Sequence, residues 1–252
     1  MATRTKEEID KLRAAGQLVA RTLRELGQRV RPGVTTAELD RIAESFIRDH
    51  GARPAFKGYR GFPASICPSV NEEVVHGIPG PRELREGDVV GIDVGVEMDG
   101  YYGDAALTFA VGDVDEQSRK LMQVTRDALM AGVAQARPGN RVGDISSAVQ
   151  RHVEAHGFSV VRALVGHGIG REMHEEPAVP NFGTPGRGPR LWTGQVLAIE
   201  PMVNVGGFEV VTRDDGWTVA TKDGTRSAHF EHTVAVGPEG PEILSVAPDG
   251  DG

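Results

Sequence analysis

Five side chains of types that commonly bind metal ions lie in short segments rich in β-branched residues or glycine. They are one histidine and four carboxylates: Asp93, Asp104, His167, Glu200 and Glu231. Oxygen-rich sites with a single imidazole favour manganese, iron(II), cobalt or catalytic zinc over a closed structural zinc site. Four carboxylates also balance the charge of two dications, whereas without metal they would raise one another's pKa values. Because a metal pair activates water and polarises a carbonyl group, this set of residues predicts a hydrolase.

Asp93 and Asp104 are expected to share one face of a β-hairpin. They are eleven residues apart, and the turn sequence MDG, residues 98–100, lies between them. Asp93 stands in the apolar run VVGIDVGV, where an unpaired carboxylate would be costly. This context favours a pair of metal ligands over two ordinary aspartates beside a turn.

The other three candidates lie in the second half of the chain. His167 belongs to GHGIG, whose glycine spacing does not fit a phosphate-binding loop. Glu200 in LAIEPMV and Glu231 in AHFEHTVAV are expected in mid-strand, with Pro201 marking a strand edge or an irregularity. Such positions suit a bridging ligand or a general base for water.

Four further histidines stand near these segments. His174, in REMHEEP, could hydrogen-bond the substrate or a developing oxyanion, although a partly exposed loop histidine is the alternative. His76, in VVHGIPG, occupies a turn ahead of the strand that carries Asp93. His229 and His232 flank Glu231 and are expected to point elsewhere, in structural roles.

An internal repeat supplies the elements that must position these residues. Residues 31–51 align with residues 137–157 at an offset of 106, and the amphipathic segments before them pair as well. Each half therefore predicts a helix, an RPG turn, a second helix, a glycine stop and then strands. Thr35 or Thr36 is expected to cap the second helix of the first half, and Asp144 its counterpart.

The repeat predicts an α+β fold in which two α/β halves, related by a pseudo-twofold axis, surround a central antiparallel sheet. Two candidate carboxylates then come from each half. We expect a single catalytic domain over residues 1–252, with halves of about 5–110 and 112–237. Residues 238–252, rich in glycine, proline and acidic residues, are expected to form a flexible tail.

Composition restricts the function classes. A net charge of −8 argues against a general nucleic-acid or anionic-membrane binder. Cys67 is the one cysteine, so no internal disulfide forms, which fits a reducing cytosol. The first residues lack the apolar core of a signal peptide, and no segment approaches the ~20 apolar residues of a membrane helix. We therefore expect a cytoplasmic protein without a membrane partner.

At these residues the sequence closely resembles the type I methionine aminopeptidases, metallopeptidases of family M24. The matching stretches are SICPSVNEEVVHGIP, GDVVGIDVGVEMDGYYGDAALTF, GHGIGREMHEEP, VLAIEPM and DGTRSAHFEHTVAV, and the resemblance covers roughly residues 5–237. It implies a pita-bread fold with two divalent ions (cobalt, manganese, iron(II), zinc or nickel) held by the five residues above, Asp104 and Glu231 bridging. It also implies removal of the initiator methionine from nascent chains whose second residue is small.

The resemblance further implies roles for individual residues. His76 and His174 match two histidines that contact substrate, and Glu200 matches a proton shuttle. The walls of the methionine side-chain pocket match Tyr59, Phe62, Cys67, Met173 and Trp217. Phe62 and Met173 stand where some relatives have Tyr and Phe, and both keep the wall apolar. The chain looks like the short bacterial form.

Three alternatives remain at this point. An aminopeptidase P or prolidase shares the fold and ligands but usually carries an extra N-terminal domain, which 252 residues hardly accommodate. A non-catalytic binding module for ribosomes or nucleic acid, or a creatinase-like enzyme, should have lost the ligands. For partners we expect the N-terminal methionine of nascent polypeptides, transient contact with the ribosome, no nucleic-acid substrate and a monomer.

Overall fold

A computed structural model gives the structure of residues 2–247. In the first half of the chain, two helices pack on an antiparallel sheet whose long central strand is β4. The elements are α1 (Lys6–Gly27), α2 (Thr36–Asp49), β1 (Arg53–Pro54), a 3₁₀ turn (Tyr59–Gly61), β2 (Ile66–Val70), β3 (Glu73–Val75), β4 (Val89–Met98) and β5 (Tyr101–Ala110). Strand β4 pairs with β1 and β2 along one edge and with β5 along the other.

The second half repeats this plan with shorter strands. Its elements are α3 (Glu116–Val133), α4 (Val142–Ala155), β6 (Ser159–Val160), β7 (Val165–Gly168), β8 (Glu175–Pro180), β9 (Val196–Ile199), β10 (Met202–Asn204), β11 (Val210–Thr212), β12 (Val219–Thr221), β13 (Ser227–His229), β14 (His232–Val236) and β15 (Pro241–Ile243). Five of these strands form one sheet in the order β15-β14-β9-β7-β8. Strand β10 lies between β13 and β6, and β12 between β11 and β3.

The predicted repeat is present in the structure. Helices α2 and α4 have 14 residues each, at the predicted offset of 106. Gly51 and Gly157 end the two helices with φ of +75° and +83°, in the left-handed region that glycine tolerates. Thr35 caps α2 as expected, whereas the carboxylate of Asp144 accepts the Arg141 N–H from the third position of α4. Asp144 is therefore not the N-cap residue itself.

Each half buries its own apolar core beneath its helices. In the first half the core includes Leu23, Ile47 and Ile92, and in the second half Leu129 and Phe230. Leu107 on β5 packs against both cores. Among residues 2–247, no helix has the length and apolarity needed to cross a bilayer.

The hairpin β4–β5 has the geometry predicted for the two aspartates. Asp99 and Gly100 form a two-residue turn with φ of +52° and +78°, as type I′ turns require. Asp93 pairs with Ala106, and Gly95 pairs with Asp104. Because alternate residues share a face, Asp93 and Asp104 lie on the same side of the hairpin.

Glu200 and Glu231 are not in mid-strand, and that prediction is wrong. Glu200 lies in the break between β9 and β10, and Glu231 lies in the break between β13 and β14. At each break the chain passes from the five-stranded sheet to the sheet of β10 and β13, or back. Pro201, which has no N–H for a ladder, interrupts the first strand. The broken backbone places both carboxylates at the junction between sheets.

In addition to the pairing of β3 with β12, the two halves are in contact where β5 runs antiparallel to the β13–β14 segment. One direct main-chain bond joins β5 to this segment, from the Glu231 N–H to the Ala106 carbonyl at 2.9 Å. On one side of it, the Thr233 hydroxyl accepts the Asp104 N–H at 3.0 Å and donates to the Asp104 carbonyl at 2.7 Å. On the other side, the Thr108 hydroxyl makes the same two bonds with His229, at 3.0 and 2.8 Å. Two threonine hydroxyls thus replace direct strand pairing.

The prediction of a flexible tail over residues 238–252 is wrong for its first part. Residues 241–243 form β15, which pairs with β14, and Leu244 is fully buried. The Ser245 hydroxyl accepts the Thr233 N–H at 3.1 Å and bonds His232 Nδ1 at 2.9 Å. Apolar burial and these bonds outweigh the polar composition. The last part of the predicted tail, 248–252, lies outside the described residues.

The threonine bridge gives a testable prediction for stability. Thr233→Val keeps the shape but leaves the buried N–H and carbonyl of Asp104 without partners, so we expect a loss of about 1–3 kcal/mol in unfolding free energy. Thr233→Ser keeps the hydroxyl and should lose less. Thr125→Val is the matched control, because the buried Thr125 hydroxyl only donates to the Leu121 carbonyl within α3. Urea unfolding measures all three, and equal losses for Thr233→Val and Thr125→Val would contradict the bridge.

Candidate metal centre and substrate pocket

A cavity of about 130 Å³ lies at the junction of the two halves. It brings together all five predicted metal ligands and all but one of the predicted substrate contacts. Its lining residues are Phe56, Tyr59, Arg60, Phe62, Cys67, His76, Asp93, Asp104, His167, His174, Glu200, Trp217 and Glu231. Acidic residues and histidines thus share one cavity with aromatic ones, so a charged centre adjoins an apolar pocket.

The ligand candidates from both halves converge on His167. Its Nε2 lies 3.8 Å from Asp104 Oδ2 and 3.6 Å from Glu200 Oε1. One ligand atom from each of Asp104, His167 and Glu231 lies within 4.8 Å of the others. Asp104 comes from the hairpin of the first half and the other residues come from the second half, so the centre requires both halves.

Local structure fixes the orientation of His167. Its ring Nδ1 lies 2.9 Å from the Gly168 carbonyl, to which it donates a hydrogen bond, so Nε2 is left with its lone pair facing the carboxylates. Burial lowers the pKa of His167, which keeps the imidazole neutral and able to bind metal. A Cβ on Gly166 would lie 2.4 Å from the Ala198 carbonyl and 3.3 Å from Glu200 Cγ, so the glycine permits this close packing.

Burial and mutual repulsion raise the pKa values of the clustered carboxyl groups. Burial raises the pKa of Asp93 to about 7. Burial also raises the pKa of Asp104 well above its usual range, and the neighbouring Asp93 and Glu200 raise it further. The pKa values of Glu200 and Glu231 are raised in the same way, by burial first and by the nearby carboxylates second. The cluster therefore holds negative charge poorly unless cations compensate it.

The residues fit divalent metal ions. The buried oxygens Asp93 Oδ1, Asp104 Oδ1 and Glu231 Oε1 have no hydrogen-bond partner among the described residues. Leaving buried polar atoms unpaired is costly, and a positive ion would satisfy all three oxygens. Four carboxylates and one neutral imidazole are the donors that manganese, iron(II), cobalt and catalytic zinc accept. This chemistry supports the use of divalent metal.

His174 stands at the mouth of the cavity, where its orientation is fixed by neighbours. Its Nδ1 lies 2.8 Å from the Tyr59 hydroxyl, and its ring lies 4.1 Å from that of His167. Burial and the neighbouring His167 lower the pKa of His174, although part of the residue is exposed. If the Tyr59 hydroxyl donates to Nδ1, the neutral ring carries its proton on Nε2 and can donate to a substrate oxygen.

The loop before His174 is anchored by a carboxylate. Glu175 accepts the backbone N–H groups of Arg171 and Glu172 at 2.9 and 3.2 Å, and it is ion-paired with the buried Arg4 side chain. His76, which also lines the cavity, is held in the left-handed region with φ of +61°. A non-glycine residue rarely adopts this conformation, and such strain is often found at functional sites.

The apolar side of the cavity is an aromatic pocket. Phe62 and Trp217 meet edge to face with ring centroids 5.2 Å apart, and Cys67 is buried beside them. Met173 differs from the prediction, because it is buried in the same apolar cluster but is not among the residues that line the cavity. The long, flexible thioether therefore contributes to the packing of this cluster.

Phe56 and Arg60 also line the cavity, and the sequence analysis missed them. The aromatic residues Phe56, Tyr59 and Phe62 recur every three residues in AFKGYRGF, a spacing that could have indicated a shared face. His229 also differs from expectation, because its Nε2 points at the carboxylates, 3.9 Å from Glu231 Oε2.

A carboxylate-rich centre at the junction of two repeated α/β halves, joined to an apolar pocket, defines a class of metal-dependent peptidases. Residues 10–238 match the model of the family described as Metallopeptidase family M24. The chain belongs to this family.

Within this family, the chain is similar to methionine aminopeptidases over nearly its whole length. The chain is 57% identical over 243 residues to a methionine aminopeptidase of Clostridium perfringens, covering 96% of this chain and 98% of that protein. It is 52% identical over 242 residues to methionine aminopeptidase 1 of Bacillus subtilis, covering 96% and 98%. The crystal structure of methionine aminopeptidase from Rickettsia prowazekii superposes with a TM-score of 0.96 at 45% identity, covering 98% of this chain and 100% of that one.

A more distant likeness concerns the fold alone. The prolidase from Pyrococcus horikoshii superposes with a TM-score of 0.80 at 20% identity, covering 97% of this chain and 63% of that one. The predicted α+β pita-bread fold and the resemblance to methionine aminopeptidases are thereby confirmed.

The raised pKa of Asp93 predicts how stability depends on pH without metal. A raised pKa means that the folded state holds the proton more tightly, so this stabilisation is complete below pH 3.8 and is lost as pH rises through about 7. Asp93→Asn removes the titrating group. For the metal-free proteins, we therefore expect the difference in unfolding free energy, Asp93→Asn minus wild type, to increase as the pH rises from 3.8 to about 7.

Chemical denaturation of both proteins in EDTA across this range measures the difference. In a parallel series with saturating Mn²⁺ the wild type should no longer lose stability relative to the variant, because the ion compensates the charge. A difference that is independent of pH in EDTA would contradict the pKa shift.

Proposed function

We propose that this chain is a metal-dependent exopeptidase that removes the N-terminal methionine from nascent polypeptides when the second residue is small. The main support is the cavity, in which the carboxylate cluster adjoins an aromatic pocket that suits an apolar side chain. The methionine aminopeptidases at 52% and 57% identity cover nearly the whole chain and support the same activity. The complete set of ligand candidates argues against a non-catalytic binding module.

We propose that the five acidic and histidine residues at the junction would hold two divalent metal ions. The ligands would be Asp93, Asp104, His167, Glu200 and Glu231. Cobalt, manganese, iron(II), zinc or nickel would each suit these donors. The bound metal would polarise the scissile carbonyl and activate the attacking water.

The chain's own residues would orient the substrate and move the proton. Tyr59, Phe62, Cys67 and Trp217 surround the methionine side chain and exclude water from it, with Met173 packed in the same apolar cluster. His174 donates a hydrogen bond from Nε2 to the carbonyl oxygen as negative charge develops there.

Two further groups complete the proposed mechanism. A carboxylate oxygen of Glu200 accepts the proton of the attacking water and delivers it to the leaving amine. His76, which also lines the cavity, contacts the substrate.

The setting of the protein is proposed from the same features. We propose that it acts in the cytoplasm, where nascent N-termini emerge, as a single-domain monomer in transient contact with the ribosome. The buried, unpaired thiol of Cys67 fits a reducing compartment. Nucleic acid and membrane are not proposed as partners. Over residues 2–247, large apolar side chains that are exposed, such as Met130 and Trp192, are few.

Peptide cleavage tests the proposed function. Metal-free enzyme should release no methionine from Met-Ala-Ser, and added Mn²⁺, Co²⁺ or Fe²⁺ should restore the release. An Xaa-Pro peptide without methionine should remain intact. Amino-acid release measured by chromatography distinguishes the alternatives: cleavage of the Xaa-Pro peptide would indicate a proline-specific peptidase, and no cleavage with any metal would indicate a binding protein.

Substitution of Glu200 tests the proton transfer. Glu200→Gln keeps the size of the side chain but removes the group that accepts the proton, so kcat for methionine release should fall by about 10²–10⁴-fold or more. Glu176→Gln is the control, because Glu176 is exposed on β8 and does not line the cavity. Steady-state kinetics with Met-Ala-Ser measures both, and near wild-type kcat in Glu200→Gln would exclude this role.

A further inference from the structure

His229 is a buried histidine beside the carboxylate cluster that the proposed mechanism does not use. The residue is 3% exposed, and its Nε2 has no hydrogen-bond partner among the described residues. A buried ring nitrogen without a partner is costly, so its position calls for a physical reason.

The unpaired nitrogen faces two carboxylates. Nε2 of His229 lies 3.7 Å from Glu200 Oε2 and 3.9 Å from Glu231 Oε2. The other oxygen of Glu200, Oε1, lies 3.6 Å from Nε2 of His167 on the ligand side. Glu200 is thus placed between two imidazoles, with one carboxylate oxygen directed at each.

The backbone of His229 is fixed at this position. The Thr108 hydroxyl accepts the His229 N–H at 3.0 Å and donates to the His229 carbonyl at 2.8 Å. Strand β13 pairs the residue with Met202, two positions beyond Glu200. The ring therefore cannot leave the cluster by a local backbone shift, and only small side-chain movements remain.

Hydrogen-bond chemistry assigns a donor role to this nitrogen. Carboxylates that bind metal are acceptors only, so an imidazole that faces them at this distance is satisfied when Nε2 carries the hydrogen. The separation of 3.7 Å exceeds a normal N–H···O distance by less than ~1 Å, which a side-chain rotation closes. Residues that hydrogen-bond a ligating carboxylate orient it and tune metal affinity.

We propose that His229 is a positioning residue, which donates a hydrogen bond from Nε2 to Glu200 Oε2. This bond keeps Oε1 of Glu200 on the side of His167 and prevents the carboxylate from rotating away from the ligand cluster. The inference rests on the proposed function, because that function makes Glu200 both a metal ligand and the group that transfers the proton. His229, which is not one of the five predicted ligands, thereby becomes a determinant of metal binding.

Three substitutions separate the donor role from a packing role. His229→Met introduces an apolar side chain of similar length that has no hydrogen-bond donor. His229→Gln carries an amide N–H at about the reach of Nε2, and His229→Asn carries one that is too short to reach Glu200. His152→Met is the matched control, because His152 on α4 also has a buried, unpartnered Nε2 but does not line the cavity.

Metal titration provides a readout that is independent of turnover. Calorimetry of the metal-free proteins with Co²⁺ should show affinity reduced about 10–100-fold in His229→Met and His229→Asn. The visible absorption spectrum of the Co²⁺ complex should change in these two variants, because the orientation of Glu200 changes. His229→Gln and His152→Met should resemble the wild type in both measurements.

The outcomes are distinct. Unchanged Co²⁺ affinity in His229→Asn, or affinity as weak in His229→Gln as in His229→Asn, would overturn the proposal, and this comparison stands even if His229→Met fails to fold. Methionine release from Met-Ala-Ser is measured in parallel. The expected Co²⁺ pattern without methionine release would support the role of His229 and contradict the proposed function, whereas wild-type protein that binds no Co²⁺ would overturn both.

Discussion

The rest of the structure depends on the bridge of threonine hydroxyls between β5 and the β13–β14 segment. The main chains of β5 and the β13–β14 segment bond directly at Ala106 and Glu231, and on either side Thr233 and Thr108 satisfy both polar groups of the opposing residue. A hydroxyl can donate and accept at once, so the strands stay slightly apart without losing hydrogen bonds. The bridge fixes the main chain of Asp104 beside the segment that carries Glu231, so both carboxylates stay at the junction.

The charged cavity is maintained by structure that lies outside it. Clustered carboxyl groups with raised pKa values oppose folding, and the apolar cores of the two halves must compensate for them. The orientation of the ligands comes from local features with small energies: the Gly168 carbonyl for His167, the breaks in the strands for Glu200 and Glu231. A site that is strained without its ions is therefore preorganised to bind them.

The sequence predicted the parts of the fold that depend on local patterns. The repeated helices, the closing glycines and the hairpin between Asp93 and Asp104 follow from periodicity and turn chemistry. The breaks at Glu200 and Glu231 were not predicted as such, because apolar residues surround both and only Pro201 signalled an interruption. His229 faces Glu200 because of the way in which two sheets meet, and no local sequence pattern encodes that arrangement. Met173 was assigned to the pocket surface, but it is buried in the apolar cluster and does not line the cavity.

The duplicated architecture also has a consequence for synthesis of the protein. Asp93 and Asp104 come from the hairpin of the first half, whereas Glu231 follows β13 in the second half, and β15 pairs with the strand after it. The centre therefore cannot assemble during translation until both halves of the fold have been synthesised.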